Sequence, residues 1–559
     1  MKNDVQLRLA ASAVAIVGAL TLGGTAAARE KAPSASSHSQ RVHSIERRTR
    51  SNHRRLVIVG TAGNDKIALR LEAGRSDVLQ VDVGDDGSAD FNVHLEPVQT
   101  ITVDGGAGDD LVRIDEANGA FTNSIPTTIA GGDGNDTLLG GSSAETFVGG
   151  SGNDSIDGNG GNDVADLGAG DDTFVWDPGD GSDAIEGRDG NDTMVFNGAA
   201  ASETVSVAAN GDRVTFARSP GNITMDTGGV ENVDFNALGG SDSIAVHDLT
   251  GTGVSSVNVD LAGALGGAAG DGQTDHVAVD ATKGNDVVNV TGDASGVGVT
   301  GQAARVAVLH AEPTDELVVN GLDGADSISA TGLAAQTITT TLDGGAGDDR
   351  ISGGPGVETL LGEEGNDSID GNGGNDVADL GAGDDTFVWD PGDGSDTIEG
   401  RDGSDTMIFN GAAASENVTV SANGDRLTFF RNPGAITMDT RGVENVAFNA
   451  LGGADVITVN DLTGTGVTNV RVDLAGTLGG SAGDAAADRV VVNGTNGNDR
   501  ITVSGGVTVS GLSPTVDVLH SEAANDRLEL NTLAGSDAVD HSGLTAGAIQ
   551  LLVNGVVVP

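Results

Sequence analysis

Residues 149–175 read GGSGNDSID, GNGGNDVAD and LGAGDDTFV, three units of nine residues in direct succession. Each unit has glycine near its start, aspartate at its sixth position and an apolar residue at its eighth position. Glycine permits the positive φ angles of a tight turn, whereas the last three positions suit a very short strand. The preference of glycine and aspartate for turns explains one such unit, but it does not explain why the units recur every nine residues. The stretch therefore predicts a repeated turn and strand.

The same unit recurs in two blocks, at 131–200 and 344–413, each with seven near-tandem copies. A two-residue Trp-Asp insertion interrupts both blocks at the same place. Residues 152–201 and 365–414 differ at only three positions, with an offset of 213 residues. The chain therefore consists of two copies of one long unit with partial flanks.

The eighth position of each unit is expected to point inward. A three-residue strand buries too little apolar surface to be stable alone, so stacked units must share one thin core. The expected core residues of the first block are Leu138, Phe147, Ile156, Ala165, Phe174, Ile185 and Met194, and those of the second are Ile351, Leu360, Ile369, Ala378, Phe387, Ile398 and Met407.

The pattern GGxGxDxUx, with U apolar, resembles the hemolysin-type or repeats-in-toxin (RTX) calcium-binding family. The resemblance covers the two blocks and implies an all-β fold, a parallel β-roll or β-solenoid with two nonapeptides per coil. It also implies multiple Ca²⁺ ions, each between the turns of units i and i+2. The aspartates fit this implication, because Ca²⁺ prefers carboxylate and carbonyl oxygen ligands.

Carried over to this sequence, the resemblance assigns the metal-ligating aspartates to columns. In the first block one column contains Asp136, Asp154, Asp172 and Asp192, and the other contains Asp163 and Asp183. In the second block the columns contain Asp349, Asp367, Asp385 and Asp405, then Asp376 and Asp396. The sequence departs from the pattern at Glu145 and Glu358, which argues against regular sites at those two turns.

A separate copy of the unit, GGAGDDLVR, spans 105–113 and supplies Asp110 as a further candidate ligand. An irregular stretch through Ala130 separates it from the first block. We therefore expect Asp110 to have no neighbour in register and to support at most a weak site.

The remaining segments are expected to be rich in β-structure. They are an amino-terminal segment at 56–130, an inter-block segment at 201–343 and a carboxy-terminal segment at 414–559. Isolated turns of the repeat type and alternating strand patterns persist there, without a convincing long amphipathic helix. The sequence leaves open whether these segments continue the solenoid or form small sandwich-like inserts.

The start of the chain has a different character. Residues 1–28 read as a secretory signal peptide, which predicts an extracellular or cell-surface protein. Residues 29–55 are rich in arginine and are expected to form a disordered basic linker. The whole chain has 83 acidic and 28 basic side chains, a net charge of −55. This charge disfavours nucleic-acid binding and requires a cationic partner. Cell-envelope or matrix polymers are a further candidate partner.

No catalytic function is indicated. The chain has no cysteine and no His-Glu-x-x-His zinc motif. Its two tryptophans, Trp176 and Trp389, either cover the insertion or form partner-binding tips. His310 and His520 occupy equivalent positions and are attributed to the duplication. We expect a non-enzymatic, secreted calcium-binding protein with a structural or adhesive role. The alternative is the non-catalytic, calcium-binding portion of an extracellular hydrolase or polysaccharide-modifying enzyme with an unrecognised active site.

Overall fold

The computed structural model describes residues 44–50, 53–96 and 98–558, with side chains described from residue 54 onward. The predicted signal peptide at 1–28 and the first part of the predicted linker lie outside these residues. The described chain is built from strands and contains no helix. Within it, no helix is available that could span a membrane.

The strands are short, and many in the two blocks have only three to six residues. Through the first block they are β1 (Ser44–Arg50), β2 (His53–Val59), β3 (Lys66–Glu72), β4 (Arg75–Val83), β5 (Phe91–His94), β6 (Thr100–Ala107), β7 (Leu111–Asp115), β8 (Thr127–Asp133), β9 (Thr137–Leu139), β10 (Thr146–Ser151), β11 (Ser155–Asp157), β12 (Val164–Ala169), β13 (Thr173–Trp176), β14 (Ala184–Asp189) and β15 (Thr193–Asn197).

The inter-block segment follows with strands of similar length. They are β16 (Thr204–Asn210), β17 (Arg213–Ser219), β18 (Ile223–Gly228), β19 (Asn232–Asn236), β20 (Ser243–Val246), β21 (Ser256–Asp260), β22 (His276–Asp280), β23 (Val287–Asp293), β24 (Gly296–Thr300), β25 (Arg305–Leu309), β26 (Glu316–Asn320), β27 (Ser327–Leu333) and β28 (Thr339–Asp343).

The second block and the carboxy-terminal segment repeat this order. Their strands are β29 (Arg350–Ser352), β30 (Glu358–Leu361), β31 (Ser368–Asp370), β32 (Val377–Asp379), β33 (Thr386–Trp389), β34 (Thr397–Glu399), β35 (Thr406–Asn410), β36 (Asn417–Asn423), β37 (Arg426–Asn432), β38 (Ile436–Arg441), β39 (Asn445–Asn449), β40 (Val456–Val459), β41 (Asn469–Asp473), β42 (Arg489–Asn493), β43 (Arg500–Gly505), β44 (Thr508–Ser510), β45 (Thr515–Leu519), β46 (Arg527–Asn531), β47 (Ala538–Leu544), β48 (Gln550–Val553) and β49 (Val556–Val557).

Two long sheets run side by side through the described chain. The first sheet has 25 strands, in the order β1-β2-β6-β8-β10-β12-β14-β18-β17-β16-β20-β22-β26-β28-β30-β32-β34-β38-β37-β36-β40-β42-β46-β48-β49. The second sheet has the order β5-β4-β3-β7-β9-β11-β13-β15-β19-β21-β25-β24-β23-β27-β29-β31-β33-β35-β39-β41-β45-β44-β43-β47.

Successive units of a block alternate between the two sheets, so each coil uses two nonapeptides. Phe147 of β10 is in register with Ala165 of β12 in the first sheet. Ile156 of β11 is in register with Phe174 of β13 in the second. This parallel pairing confirms the all-β, parallel β-roll predicted from the repeat. The expected core residues of both blocks are completely buried.

The β-roll also continues outside the blocks, which settles the question that the sequence left open. Strand pairs join the residues on either side of the boundaries at 130/131, 200/201, 343/344 and 413/414; for example, β14 pairs with β18, and β27 pairs with β29. The continuing core consists of inward valines, leucines and phenylalanines that alternate with outward polar residues. The flanking segments are further coils of one solenoid.

Three-stranded antiparallel meanders interrupt the parallel order. β16, β17 and β18 form one in the first sheet, where β18 pairs back to β14 and β16 pairs forward to β20. β23, β24 and β25 form the equivalent meander in the second sheet. The duplicated half repeats both meanders, at β36–β38 and β43–β45.

The predicted disordered linker at 29–55 differs from the structure in its final part. Ser44–Arg50 and His53–Val59 form an antiparallel hairpin, and β2 continues the first sheet by pairing with β6. Leu56 and Ile58 of β2 are fully buried. Burial of these apolar residues fixes β2 in the sheet, and the basic residues just before them therefore belong to the same strand. Arginines and lysines are common on edge strands because their charge opposes further pairing.

Aromatic side chains thicken the core at the Trp-Asp insertion. Trp176 is fully buried, and its ring stacks on Phe196 with ring centroids 3.9 Å apart. Its indole Nε1–H donates to the carbonyl of Gly181, beyond the insertion (2.8 Å). Trp389 repeats this arrangement with Phe409 and Gly394. The tryptophans cover the insertion from inside, and the hypothesis that they are exposed partner-binding tips is wrong.

The close stacking of turns predicts a strong effect of Gly170→Ala. Gly170 has a φ of +139°, and an added Cβ would lie 2.1 Å from the carbonyl oxygen of Gly152 in the preceding coil. Backbone strain of this kind costs about 1–3 kcal/mol, and the steric overlap adds to it. We expect urea titration at fixed calcium to show a lower free energy of unfolding. Gly63→Ala is the control, because its Cβ would meet no atom within 4 Å; equal effects would contradict the stacking.

Candidate metal centres

The sixth-position carboxylates stack in columns along the edges of the β-roll. The backbone N–H of Asp136 donates to Oδ1 of Asp154 in the next coil (2.8 Å). Asp154 donates in the same way to Asp172 (2.7 Å), and Asp172 to Asp192 (2.9 Å). Each carboxylate therefore holds the preceding turn in register through one of its oxygens.

The other predicted columns have the same geometry. In the first block the N–H of Asp163 donates to Asp183 (2.8 Å). In the second block the chains of donation run from Asp349 through Asp367 and Asp385 to Asp405 and from Asp376 to Asp396, over distances of 2.8–3.0 Å. The structure brings these residues together in the expected order, and their role as ligands stays a prediction.

Asp110 is not isolated, and the expectation that it lacks a neighbour in register is wrong. Its N–H donates to Oδ1 of Asp136 (2.7 Å), and its own Oδ1 accepts the N–H of Asp65 (2.7 Å). The irregular stretch between β7 and β8 loops out of the coil, while β6 pairs with β8 and β7 pairs with β9. A loop of any length can leave the stack without shifting the strands on either side of it.

The second carboxylate oxygen in these columns is buried and accepts no hydrogen bond. An unpaired, buried polar atom costs about 1–3 kcal/mol, and more when it is charged. These oxygens therefore require a cation or a proton. In the predicted site residues they are Oδ2 of Asp110, Asp136, Asp154, Asp163, Asp172, Asp192, Asp349, Asp367, Asp376, Asp385, Asp396 and Asp405. Asp183 is also buried, but its Oδ2 is not in this set.

The first-position glycine makes room for this unpaired oxygen. A Cβ on Gly131 would lie 2.2 Å from Oδ2 of Asp136, and one on Gly158 would lie 2.4 Å from Oδ2 of Asp163. The fourth-position glycines bring main-chain oxygens close as well: a Cβ on Gly190 would lie 1.8 Å from the carbonyl oxygen of Gly170. Each turn thus combines one carboxylate with closely stacked carbonyl groups.

Burial strongly disfavours the charged form of these carboxylates. Desolvation raises the pKa of Asp163 to about 9, and the charges of Asp183 and Glu145 add to the effect. Desolvation raises the pKa of Asp376 to about 8 and that of Asp154 to about 7, and neighbouring carboxylates contribute in both cases. A bound cation would restore the ionised form.

The donor chemistry fits Ca²⁺, which takes six to eight oxygen ligands. Among the described residues no group of three or more histidine, cysteine, aspartate or glutamate side chains surrounds one point. The columns would supply one carboxylate per turn, and the closely stacked main-chain carbonyls would supply further oxygens. The residues that would hold the ions are the column aspartates, and the ions would neutralise their paired charges.

Some turns at the start of a column satisfy their own carboxylate. Asp65 accepts the N–H (2.5 Å) and the hydroxyl (2.8 Å) of Thr61. Thr282 closes the turn of Asp286 similarly, and Thr495 closes that of Asp499. We name these closed turns. They have no preceding coil in their column, so the second-position N–H turns to the carboxylate instead.

The two glutamates that depart from the pattern also start columns. Glu145 accepts the N–H of Gly141 (2.9 Å), and Glu358 accepts that of Gly354 (3.0 Å). Their own N–H groups donate to Asp163 (2.6 Å) and Asp376 (2.9 Å). The longer side chain reaches back to its own turn, which explains why the pattern changes there.

The sequence analysis noted repeat-type turns between and after the blocks but assigned no site residues there, and the structure shows similar carboxylates in these segments. They share a detectable signal, a carboxylate two residues before the first inward apolar residue of a strand, with no requirement for glycine. This group contains Glu203, Asp242, Asp275, Asp315, Asp326, Glu416, Asp455, Asp488 and Asp526, all buried.

The histidines pair with aspartates in both copies. His310 Nδ1 lies 2.6 Å from Asp260, and His520 Nδ1 lies 2.6 Å from Asp473. Residues 479–483 read GGSAG, which has the spacing of a serine-nucleophile motif. This stretch lies in a loop rather than on a strand-to-helix turn, and Ser481 makes no hydrogen bond to His520 within the described structure. The first copy keeps the histidine pair with Ala268 at the equivalent loop position.

Comparisons with known proteins point to the repeat. A family profile for the RTX calcium-binding nonapeptide repeat (4 copies) matches residues 127–150, 139–174, 179–198, 341–357, 352–387 and 392–411. No curated protein matches the chain. Among solved structures, the crystal structure of the extracellular lipase LipA from Serratia marcescens is 16% identical, with a TM-score of 0.14, and the match covers 62% of this chain and 43% of the lipase chain.

The chain thus spans less than half of the lipase, and the fold rests on its own strand pairing. The profile matches lie on the strands and turns that carry the stacked aspartates. The chain therefore carries two blocks of RTX calcium-binding nonapeptide repeats folded as a parallel β-roll, and its cofactor is Ca²⁺, bound as multiple ions.

Proposed function

We propose that this protein is exported and folds on binding extracellular calcium, and that it acts without catalysis as a structural or adhesive component of a cell surface or matrix. The supporting observation is the series of buried carboxylate oxygens without hydrogen-bond donors, which runs through both blocks. The folded chain cannot keep these groups ionised without cations. Extracellular calcium modules bind with dissociation constants of about 10⁻⁴–10⁻³ M, so a compartment with little free calcium would disfavour folding.

The acidic surface supports a role outside the cell as well. The net charge of −55 opposes compaction until cations reduce it. A continuous solenoid with a repeated outer face offers many equivalent positions for a polymer or a neighbouring molecule. The column aspartates are the proposed ligands, and the Arg-rich start of the chain would face an anionic polymer.

Catalysis is tested directly with the calcium-loaded chain. If the alternative were correct and the chain were part of a hydrolase with its own site, pooled polysaccharides, peptides or esters would be turned over. We expect no turnover above that of heat-denatured protein. Turnover abolished by Ser481→Ala would overturn the non-enzymatic proposal.

The first prediction is that calcium drives folding. The calcium-free chain should lose most of its β-signal in circular dichroism at neutral pH and regain it on addition of calcium, because ions that bind only the folded state stabilise it. Both tryptophans are buried, so their fluorescence should shift to longer wavelength in chelator. Magnesium at the same ionic strength is the control for charge screening. Identical spectra with and without calcium would contradict the proposal.

The second prediction compares an open with a closed turn. Asp154→Asn keeps the size of the side chain but removes its negative charge. The turn then lacks the charged oxygen that we propose as a ligand. A hydrogen bond to a charged group contributes about 1.5–3 kcal/mol. A loss of this size should raise the calcium concentration at which half of the protein is folded by about tenfold or more. Asp65→Asn is the matched control, because Thr61 already satisfies that carboxylate. Titration of the full chain by circular dichroism measures both midpoints, and equal shifts would contradict the assignment.

The third prediction concerns pH without calcium. Burial raises the pKa of Asp154 to about 7 and that of Asp376 to about 8 in the folded chain, above the ordinary value of 3.8. The folded state then binds more protons than the unfolded state, so its stability falls as pH rises through this range. Calcium-stripped protein should therefore hold more β-structure near pH 5 than near pH 9. Circular dichroism at constant ionic strength measures this, and a reversed order would refute the argument.

A further inference from the structure

One arginine in each copy lies on the inward face of a meander. In β17 the inward residues are Val214, Phe216 and Arg218, and all three are buried. The side chain of Arg218 is 8% exposed, and that of its partner Glu203 is fully buried. A buried charge is costly unless it is paired and hydrogen-bonded, so an arginine at this position needs partners inside the roll.

The guanidinium of Arg218 contacts three different groups. It donates through Nε to Oε1 of Glu203 (2.7 Å), and its Nη2 donates to the same oxygen. Its Nη1 donates to the carbonyl oxygen of Pro220 (3.0 Å). The guanidinium carbon lies 5.3 Å from the centroid of the Trp176 ring, a distance at which an aromatic face attracts a cation. The Trp-Asp insertion thus provides an aromatic wall for a buried positive charge.

The turn that contains Glu203 differs from the turns of the blocks. Residues 198–203 read GAAASE, with alanine at the second and fourth positions, where most block units have glycine. In the block columns one carboxylate oxygen accepts the N–H of the preceding turn, as Asp154 does from Asp136. Glu203 follows the insertion in its sheet, next to β17, and its Oε1 accepts the Nε–H of Arg218 instead. The arginine therefore replaces a neutral donor with a charged one.

The second copy repeats each part of this arrangement. Arg431 of β37 donates through Nε to Oε1 of Glu416 (2.6 Å) and through Nη1 to the carbonyl oxygen of Pro433 (3.1 Å). Its guanidinium carbon lies 5.4 Å from the centroid of the Trp389 ring. Residues 411–416 again read GAAASE. The buried arginine is therefore a property of the duplicated unit.

The arginine balances the charge of the glutamate without a metal ion. Oε2 of Glu203 lacks a hydrogen-bond donor, as Oδ2 of Asp154 does, but only Glu203 has a guanidinium on its other oxygen. A buried ion pair offsets the desolvation of its two charges only when further contacts satisfy them. The carbonyl of Pro220 and the ring of Trp176 supply such contacts to the arginine.

We propose that Arg218 and Arg431 are internal counter-ions that take the place of calcium at the first turn after each Trp-Asp insertion and its block. Because the positive charge is part of the chain, these two turns are stabilised at any calcium concentration. Neighbouring coils of a solenoid stabilise each other, so the counter-ions should lower the calcium concentration that the adjacent coils need. The inference rests on the calcium dependence of the proposed function, but it concerns two turns at which no ion is expected.

The first test removes the positive charges. Arg218→Gln with Arg431→Gln leaves two buried glutamates without a cation, which should raise the calcium concentration at half-folding of the full chain by about threefold or more. Calcium titration followed by circular dichroism measures this concentration. The matched control, Arg213→Gln with Arg426→Gln, removes two partly exposed arginines from the same meanders, each paired with a glutamate and an aspartate. A shift no larger than that of the control would overturn the proposal.

The second test counts bound ions in a charge-neutral variant. Arg218, Arg431, Glu203 and Glu416 are all replaced by glutamine, so that no unpaired charge is buried. This variant should fold at a lower calcium concentration than the variant that lacks only the arginines, and it keeps the test decisive if that variant does not fold. Equilibrium dialysis of the full chain against calcium alone, at a saturating concentration, should give the same number of ions as for the unaltered protein.

The ion count separates this inference from the proposed function. Loss of one ion per copy in the charge-neutral variant would show that the two glutamates are calcium ligands and would overturn the internal counter-ions, even if the blocks bind calcium normally. Absence of calcium binding to the unaltered chain would instead overturn the proposed function.

Discussion

A carboxylate with one satisfied and one bare oxygen is the interaction on which the rest of the structure depends. One oxygen fixes the register of consecutive coils by accepting a backbone N–H, as Asp154 does from Asp136. The other oxygen is buried beside a glycine and has no donor. The same side chain therefore builds the stack and makes it electrostatically incomplete. A cation or a proton on the second oxygen would compensate its charge, which is the basis of the proposed calcium dependence.

The glycines are the second half of this constraint. In the blocks they bring main-chain oxygens of consecutive turns so close that a Cβ would overlap with the neighbouring coil. This proximity removes space for bulky side chains at the turn and concentrates oxygen atoms there. The closed turns show the alternative: in Asp65 a threonine supplies the missing donors, and the carboxylate becomes an ordinary structural group. A closed turn thus leaves its carboxylate in a structural role, whereas an open turn leaves one oxygen free for the proposed ion.

The two blocks were predicted well from the sequence because the nine-residue repeat is regular there. It gave the inward residues, the all-β class and the order of the column aspartates. It failed for Asp110 and for carboxylates such as Asp242, because the stack fixes only where strands begin. Between and after the blocks, consecutive carboxylates of one column are 33 to 40 residues apart, as between Asp242 and Asp275 or Asp275 and Asp315. Loops and meanders absorb the difference, so the repeat pattern shows some of these turns but not which of them share a column. Whether a carboxylate oxygen accepts a hydrogen bond depends on the donors of a neighbouring coil, which the local sequence does not specify.

The paired meanders have a geometric consequence for the whole solenoid. Each copy inserts two extra strands into the first sheet, at β16–β18 or β36–β38, and two into the second, at β23–β25 or β43–β45. If only one face were lengthened, every copy would bend the rod toward the shorter face, and the bend would accumulate on duplication. Because each copy adds two strands to both sheets, no difference in strand number between the two faces accumulates when the unit is duplicated.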